Sequence, residues 1–138
     1  MIRPVLLVDD EAEFTSILSK VLRRRGFTVH VAGTGEAALE ALRKSAFGVV
    51  VLDVKMPGID GLHVLAEVTR ILPDTRVILL TGHLAPGDEE QSIAKGAFAY
   101  LLKPYPTEQL VGVIEMAQRA AEAAHEPGTG AGTPVEPY

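Results

Sequence analysis

The sequence predicts an α/β fold in which five short strands alternate with five helices. Five short apolar runs are spaced along the chain, and three of them are almost entirely Val, Leu and Ile. Continuous apolar runs of this kind are typical of strands covered on both faces, as in a parallel sheet. Between the runs, apolar residues recur at three- and four-residue spacing, which is typical of helices. This alternation predicts a doubly wound parallel sheet with right-handed crossovers and helices on both faces.

The strands are predicted at residues 5–8, 28–32, 49–52, 77–80 and 99–102. The first helix follows the first strand, and its apolar residues share one stripe that we expect to be buried. These residues are Phe14, Ile17, Leu18, Val21 and Leu22. Gly26 should end this helix, because glycine readily adopts the left-handed conformation found after helices.

Four more helices are indicated by apolar residues at helical spacing. They are Ala38, Leu39 and Leu42 in the second, Leu62, Leu65, Val68 and Leu72 in the third, and Leu110, Val113, Ile114 and Ala117 in the fifth. The fourth is weaker and covers about residues 88–95, between an acidic first turn and Gly96. Pro73 should stop the third helix, and Thr107 is a candidate N-cap for the fifth.

Length and composition exclude several classes of protein. The 138 residues suit one domain, and 47% hydrophobic with 22% charged residues is typical of a globular one. The chain has no cysteine, so it can form neither disulfides nor a thiolate metal site. The net charge of -5 argues against direct nucleic-acid binding. No signal peptide or membrane-spanning run is recognisable, so we expect a cytoplasmic protein without membrane contact.

Polar residues follow four of the five predicted strands. Asp9 and Asp10 follow the first, Asp53 the third, Thr81 the fourth and Lys103 the fifth. In an open α/β sheet, ligands bind beyond the carboxyl ends of the strands, where the strand order reverses. For the common order 2-1-3-4-5, that point lies between strands 1 and 3. The three aspartates should therefore meet there, with the threonine and the lysine arriving from neighbouring strands.

Three carboxylates in one crevice need a cation, because like charges cannot all stay ionised away from water. The candidate ligands are all oxygens, which favours a hard ion, and Mg²⁺ is the leading choice. A lysine and a threonine hydroxyl beside such a metal suit the oxygens of a phosphoryl group. An aspartate can itself be the nucleophile and form an aspartyl phosphate.

From about residue 2 to residue 124, the sequence resembles the receiver domains of two-component response regulators. The resemblance rests on five motifs in order, each at a strand end or beside one. They are VDDE at residues 8–11, LDVKMPGIDG at 52–61, LLTG at 79–82, GAFAYLLKP at 96–104, and the helix that follows. The resemblance implies a doubly wound (βα)5, flavodoxin-like fold with sheet order 2-1-3-4-5. Residues 1–124 would form the receiver, and residues 125–138 a flexible tail rich in Gly and Pro.

The resemblance also implies a metal site and a phosphoryl acceptor. By it, Asp53 accepts the phosphoryl group. Asp10 binds Mg²⁺ directly, Asp9 acts through a metal-bound water, and the backbone carbonyl of Lys55 completes the metal site. Mn²⁺ would serve in place of Mg²⁺.

The remaining implied roles belong to the strand ends near the fifth strand. Thr81 would bind a phosphoryl oxygen and turn inward on activation, and Tyr100 would follow it as the aromatic switch residue. Lys103 would contact the phosphoryl group, and the bond between Lys103 and Pro104 would be cis.

These roles describe a response regulator and not an enzyme with an external substrate. A sensor histidine kinase or a histidine phosphotransfer protein would supply the phosphoryl group. The face formed by helix 4, strand 5 and helix 5 would then control an output protein, and it could also form a homodimer. Two alternatives stay open from the residues: a phosphorelay intermediate or phosphate sink, or the N-terminal receiver of a longer regulator whose effector domain follows.

Other function classes fit the residues less well. A phosphatase of the haloacid dehalogenase type needs a second acid two residues after the nucleophile, where this chain has Lys55. A flavodoxin-like flavin carrier needs a phosphate-binding first loop, and Asp9, Asp10 and Glu11 would repel that phosphate. A degenerate receiver, used only for docking, would lack one of the acidic, threonine or lysine positions, and all are filled here.

Overall fold

The chain alternates five strands and five helices, as the sequence predicts. The structure, a computed structural model, describes residues 2–56, 60–83 and 85–125. The strands are β1 (Val5–Val8), β2 (Val29–Ala32), β3 (Val49–Asp53), β4 (Arg76–Thr81) and β5 (Ala99–Leu102). The helices are α1 (Ala12–Arg24), α2 (Gly35–Lys44), α3 (Gly61–Ile71), α4 (Asp88–Ala94) and α5 (Thr107–His125). Of the predicted tail, residue 125 ends α5, and residues 126–138 lie outside the described residues.

The strands form one parallel sheet in the order β2-β1-β3-β4-β5, which confirms the predicted fold. β1 pairs on one side with β2 and on the other with β3, and Val8 lies level with Leu52. β3 and β4 run longer than predicted, so that Asp53 and Thr81 are the last residues of their strands. Between β3 and β4 the hydrogen-bond ladder continues one residue past Asp53, where the Val54 N–H donates to the Leu80 carbonyl (2.8 Å).

Two hydrophobic clusters lie on opposite faces of the sheet. Leu6 and Val8 of β1 belong to the cluster that α2 and α3 cover. Val5 and Leu7 of the same strand belong to the cluster that α1 and α5 cover. Alternate residues of a strand point to opposite faces, so an uninterrupted apolar strand supplies both clusters. Among the described residues, no helix is long and apolar enough to cross a membrane.

The buried face of α1 differs from the predicted stripe. Leu18 and Leu22 are buried, but Ile17 is 51% exposed. The buried face is rotated toward Thr15 and Ser19, which can enter the core because their hydroxyls donate to carbonyls of their own helix. Phe14 and Val21 of the predicted stripe pack against the core, so apolar periodicity was wrong only at Ile17 and missed the two buried polar residues.

The structure confirms the predicted stops of two helices but not the predicted N-cap of α5. Gly26 and Gly96 follow α1 and α4 with φ angles of +93° and +111°, which confirms their predicted role as stops. Thr107 is not the N-cap of α5. The Leu110 N–H donates to the Pro106 carbonyl (2.9 Å), so Pro106 holds the capping position and Thr107 is the first helical residue.

Candidate functional site

Three carboxylates meet at the carboxyl ends of β1 and β3. Asp9 and Asp10 follow β1, and Asp53 ends β3. One carboxylate oxygen from each lies within 4.8 Å of the other two. Asp9 and Asp53 are buried, whereas Asp10 is exposed. The strands on either side of this point lead to opposite faces of the sheet, so a crevice opens here.

Lys103 reaches this carboxylate cluster from the end of β5. Its Nζ lies 2.9 Å from Asp9 Oδ2 and 3.6 Å from Asp53 Oδ2, and it forms a further ion pair with the Glu11 carboxylate. The ammonium group also lies 5.0 Å from the centre of the Phe14 ring, close enough for a cation–π contact. One lysine is thus shared by three carboxylates.

The crowding of charge is visible in two pKa shifts. Burial raises the pKa of Asp9, and the charge of Asp53 adds to this, although hydrogen bonds from the Glu11 N–H (2.9 Å) and Lys103 oppose it. Burial alone would lower the pKa of Lys103, but its hydrogen bonds to Glu11 and Asp9 raise that pKa above its usual range. Among the described residues, the site therefore holds more negative charge than its lysine can neutralise.

The loop after β3 holds the Asp53 side chain in place. The Lys55 N–H donates to Asp53 Oδ1 at 3.0 Å. The same loop is packed against the start of α3, where a Cβ on Gly61 would lie only 2.9 Å from Val54 Cα. Glycine therefore permits the close approach of α3 to this loop, and the loop in turn orients the Lys55 amide toward Asp53.

Thr81 and Tyr100 form a second group beside the carboxylates. Thr81 is buried, and its hydroxyl donates to the His83 carbonyl at 2.9 Å. Tyr100 is also buried, and burial together with the nearby Asp88 carboxylate raises the pKa of its phenol, against a hydrogen bond to Thr81. Both side chains line a cavity of about 140 Å³ that separates β4 from α4. A movement of the Thr81 side chain would therefore change the space available to the Tyr100 side chain.

A pocket of about 790 Å³ opens over the carboxylates. Besides the acidic residues, its lining includes the apolar side chains of Phe14, Leu80 and Pro104. The peptide bond between Lys103 and Pro104 is cis. The pocket gives a reactant direct access to Asp53 from solvent.

The donor set fits a hard divalent cation. Asp9, Asp10 and Asp53 offer carboxylate oxygens, and the structure describes no nitrogen or sulfur ligand among them. Burial raises the pKa of Asp9, and the neighbouring Asp53 charge adds to this, so a bound cation would favour the ionised form of Asp9. The three aspartates could therefore hold a metal ion.

The structure brings Asp9, Asp10, Asp53 and Lys103 into one site, with Thr81 and Tyr100 behind it. Glu11 contacts Lys103, although no role in the site is predicted for it from the sequence. Its position directly after two aspartates was the only signal available. An acidic residue there is also common at the start of a helix, so that signal does not distinguish the two roles.

The comparisons with known proteins agree on one family. The family model for the response regulator receiver domain matches residues 5–115. The C4-dicarboxylate transport transcriptional regulatory protein DctD of Rhizobium meliloti is 33% identical over 135 residues, which cover 88% of this chain and 29% of DctD. The chain thus spans less than a third of that relative's length.

Solved structures show the same likeness. The beryllofluoride-activated NtrC4 receiver domain dimer is 36% identical, with a TM-score of 0.80, and the match covers 86% of this chain and 98% of that one. A response regulator protein from Burkholderia pseudomallei, solved with a phosphorylated aspartic acid, a calcium ion and citrate, is 26% identical, with a TM-score of 0.75. That match covers 96% of this chain and 77% of the other.

The sheet order, the acidic cluster at its switch point and the family model lead to one conclusion. The chain belongs to the family of response regulator receiver domains.

Proposed function

We propose that this chain works in two-component signalling by accepting a phosphoryl group on Asp53. The observation that carries the proposal is the shared site: Asp53 lies within 4.8 Å of Asp9 and Asp10 and 3.6 Å from Lys103 Nζ. In the reaction, an Asp53 oxygen attacks the phosphorus of a phosphohistidine. The P–N bond breaks, and the imidazole nitrogen of the donor keeps the electron pair. The donor is a sensor histidine kinase or a histidine phosphotransfer protein.

The proposal includes a Mg²⁺ ion, for which Mn²⁺ would substitute. Asp10 and Asp53 are the proposed direct carboxylate ligands, with the Lys55 carbonyl beside them and Asp9 acting through a water. When bound, the metal neutralises phosphoryl oxygens. Lys103 supplies a further positive charge to those oxygens and stays protonated throughout, which its raised pKa supports. The Lys55 N–H keeps the acceptor carboxylate oriented toward the pocket.

The signal leaves the site through Thr81 and Tyr100. To bind a phosphoryl oxygen, the Thr81 hydroxyl would give up the His83 carbonyl that it now contacts. Tyr100 would adjust with it, because the two line the same cavity. The affected surface is the face of α4, β5 and α5, which exposes Ile93, Leu102 and Met116. Phosphorylation thus biases a two-state surface.

This face is the proposed contact for an output protein and for a homodimer. The NtrC4 receiver forms a dimer when activated by beryllofluoride, which supports the second use. We propose no direct nucleic-acid or membrane contact, a cytoplasmic location and no enzymatic turnover of an external substrate. Because the chain spans 29% of DctD, a receiver joined to an effector domain stays an alternative, as does a phosphorelay intermediate or phosphate sink.

The acceptor is tested by incubating the protein with acetyl phosphate and Mg²⁺ and measuring its intact mass. We expect the wild-type chain to gain the mass of one phosphoryl group, and EDTA to prevent this. The variant Asp53→Asn should gain none, because an amide oxygen is a poor nucleophile. Equal labelling of wild type and variant would show that Asp53 is not the acceptor.

The output is tested by a comparative pull-down. One bait is wild type with beryllofluoride and Mg²⁺, and the other is Asp53→Asn in the same buffer. A protein retained only by the first bait would be the output partner. Retention of the same kinases or phosphotransfer proteins by both baits would favour a relay or a phosphate sink.

A further inference from the structure

Glu11 is an exposed acidic residue whose side chain contacts the central lysine of the site. It occupies the N-cap position of α1, but its carboxylate makes no capping hydrogen bond. The carboxylate pairs with Lys103 instead. Its backbone N–H donates to Asp9 Oδ1 at 2.9 Å, which fixes the residue beside the carboxylate cluster. A helix-capping role therefore does not explain the orientation of this side chain.

The contacts of Lys103 show that Glu11 influences the position of the ammonium group. The lysine Nζ is in hydrogen-bond contact with Glu11 and Asp9, but it lies 3.6 Å from the Asp53 carboxylate. Its side chain is only 17% exposed, so protein groups rather than water supply most of its contacts. Two carboxylates on the β1 side thus hold the charge that Asp53 would need during phosphorylation.

We propose that Glu11 is a positioning residue that holds Lys103 on the β1 side of the pocket, beyond hydrogen-bond distance of Asp53, until a phosphoryl group enters. This inference rests on the proposed function. The arriving phosphoryl oxygens compete with the Glu11 carboxylate for the ammonium group. Glu11 is largely exposed and Asp9 is buried, so of the two carboxylates on that side Glu11 is the one that solvent and an incoming anion can displace from Lys103.

Removal of the Glu11 charge should change two properties in opposite directions. The site loses a negative charge, and a freed Lys103 moves toward Asp53 and competes with the cation, so Mg²⁺ binds less tightly. At saturating Mg²⁺, the same freed lysine and the weaker repulsion of an anionic donor make transfer faster. With acetyl phosphate, an Asp53 oxygen bonds to phosphorus and the bond to the acetate oxygen breaks. Acetate leaves with the electron pair, and no proton moves.

The test compares Glu11→Gln with Glu13→Gln. Glu13 is an exposed carboxylate in the same turn of α1, and it is not a partner of Lys103. Calorimetric titration gives the affinity for Mg²⁺, and intact mass gives the rate of phosphorylation by acetyl phosphate at saturating Mg²⁺. For Glu11→Gln we expect about threefold weaker Mg²⁺ binding and about threefold faster transfer, the scale of a partly exposed ion pair. Glu13→Gln should match wild type in both.

A metal-free measurement tests the contact itself. In EDTA, the rate at which an amine-reactive ester labels Lys103 is followed by mass spectrometry, with the exposed Lys95, which does not line this pocket, as internal reference. Loss of the hydrogen bond to Glu11 removes one of the groups that cover the amine. We therefore expect labelling of Lys103 to be about threefold faster in Glu11→Gln and unchanged in Glu13→Gln.

Three results would overturn the inference: unchanged labelling of Lys103 in Glu11→Gln, a fall of both Mg²⁺ affinity and transfer rate, or the same changes in Glu13→Gln. Failure of the proposed function would look different. In that case wild type would take up no phosphoryl group, whereas the labelling of Lys103 would still respond to Glu11→Gln.

Discussion

The two ends of the sheet handle charge in different ways. At the carboxyl ends of the strands, Asp9, Glu11 and Asp53 share Lys103. At the amino ends, Arg3 and Glu122 are matched one to one. The Arg3 N–H and Nε both donate to Glu122 Oε2, at 3.0 and 3.3 Å. One end is left with excess negative charge, and the other is balanced.

Neighbouring groups complete the pairing at the amino ends. A guanidinium N–H of Arg3 donates to the Ala121 carbonyl at 3.0 Å, and Gln118 Nε2 donates to the Arg3 carbonyl at 2.9 Å. These bonds join the segment before β1 to the last turns of α5. The cluster has no access to the pocket over Asp53, so we interpret it as purely structural.

The carboxylates of Asp9 and Glu122, at opposite ends of the sheet, have pKa values shifted in opposite directions. Burial raises the pKa of Asp9. Burial would also raise the pKa of Glu122, but the hydrogen bonds and the charge of Arg3 lower it overall. Ionised Asp9 therefore destabilises the metal-free fold, and ionised Glu122 stabilises it. The proposed site for a cation and a phosphoryl group therefore lowers the stability of the metal-free fold, whereas the Arg3–Glu122 pair at the opposite end of the sheet raises it.

The largest expected effect on stability comes from adding a methyl group at Gly61, near the carboxyl ends of the strands, compared with adding one at Gly48, near the amino ends. A Cβ on Gly61 would meet the Val54 backbone at 2.9 Å, whereas one on Gly48 would meet the end of the Gln118 side chain at 2.7 Å. We expect Gly61→Ala to lower the free energy of unfolding by about 2–3 kcal/mol and Gly48→Ala by about 1 kcal/mol, because backbone yields less than a side chain. Urea denaturation measures both.

Gly112→Ala is the matched control for these two variants. Gly112 lies within α5, and a Cβ there would meet no atom within 4 Å. This variant should be stabilised by about 0.5–1 kcal/mol, because alanine favours the helix. If Gly61→Ala were as stable as Gly112→Ala, the loop that holds Asp53 would not depend on the close approach of α3.

The next effect concerns the balanced end. Glu122→Ala removes a hydrogen-bond acceptor from Gln118 and from the half-buried Arg3. We expect the free energy of unfolding to fall by about 1–2 kcal/mol. Glu115→Ala, on the same helix, removes a partner of the exposed Arg25 and should lose less than about 1 kcal/mol. Equal losses in the two variants would contradict the view that the Arg3 cluster is a special structural feature.

The direction of the Glu122 pKa shift determines how the effect of Glu122→Ala on stability depends on pH. The pKa of Glu122 is lowered in the folded protein, so its contribution is present above the ordinary value of 4.5 and is lost as the pH falls through the lowered value. The stability difference between wild type and Glu122→Ala should therefore shrink in acid. A difference that grew as the pH fell would show that Arg3 does not lower this pKa.

The smallest effect is a gain of stability at the site. Asp10 is exposed and shares the cluster with two buried carboxylates, so Asp10→Asn relieves repulsion. In EDTA we expect this variant to be more stable than wild type by about 0.5 kcal/mol. Mg²⁺ should raise the Tm of wild type but not that of the variant, because ligand binding stabilises only a fold that can bind it. A Tm rise of equal size in both would remove Asp10 from the proposed metal site.

Much of this architecture could be predicted from local sequence. Short apolar runs indicated the five strands, and Gly26 and Gly96 marked two helix ends, because periodicity and backbone preference act within a few residues. The placement of Asp9, Asp10 and Asp53 at one crevice also followed from the sequence, since the ends of parallel strands in this order must meet there. The five receiver motifs then named the family that the family model identified.

The tertiary structure decided what depends on contacts between distant segments. Lys103 divides its charge between Asp9 and Glu11 because β5 and the loop after β1 converge above the sheet, 92 residues apart in sequence. The burial of Thr15 and Ser19 in place of Ile17 depends on how α1 is rotated against the sheet and α5. Gly61 is needed because α3 approaches Val54 closely. Sequence spacing specifies which residues share a face, but packing alone sets which of them touch.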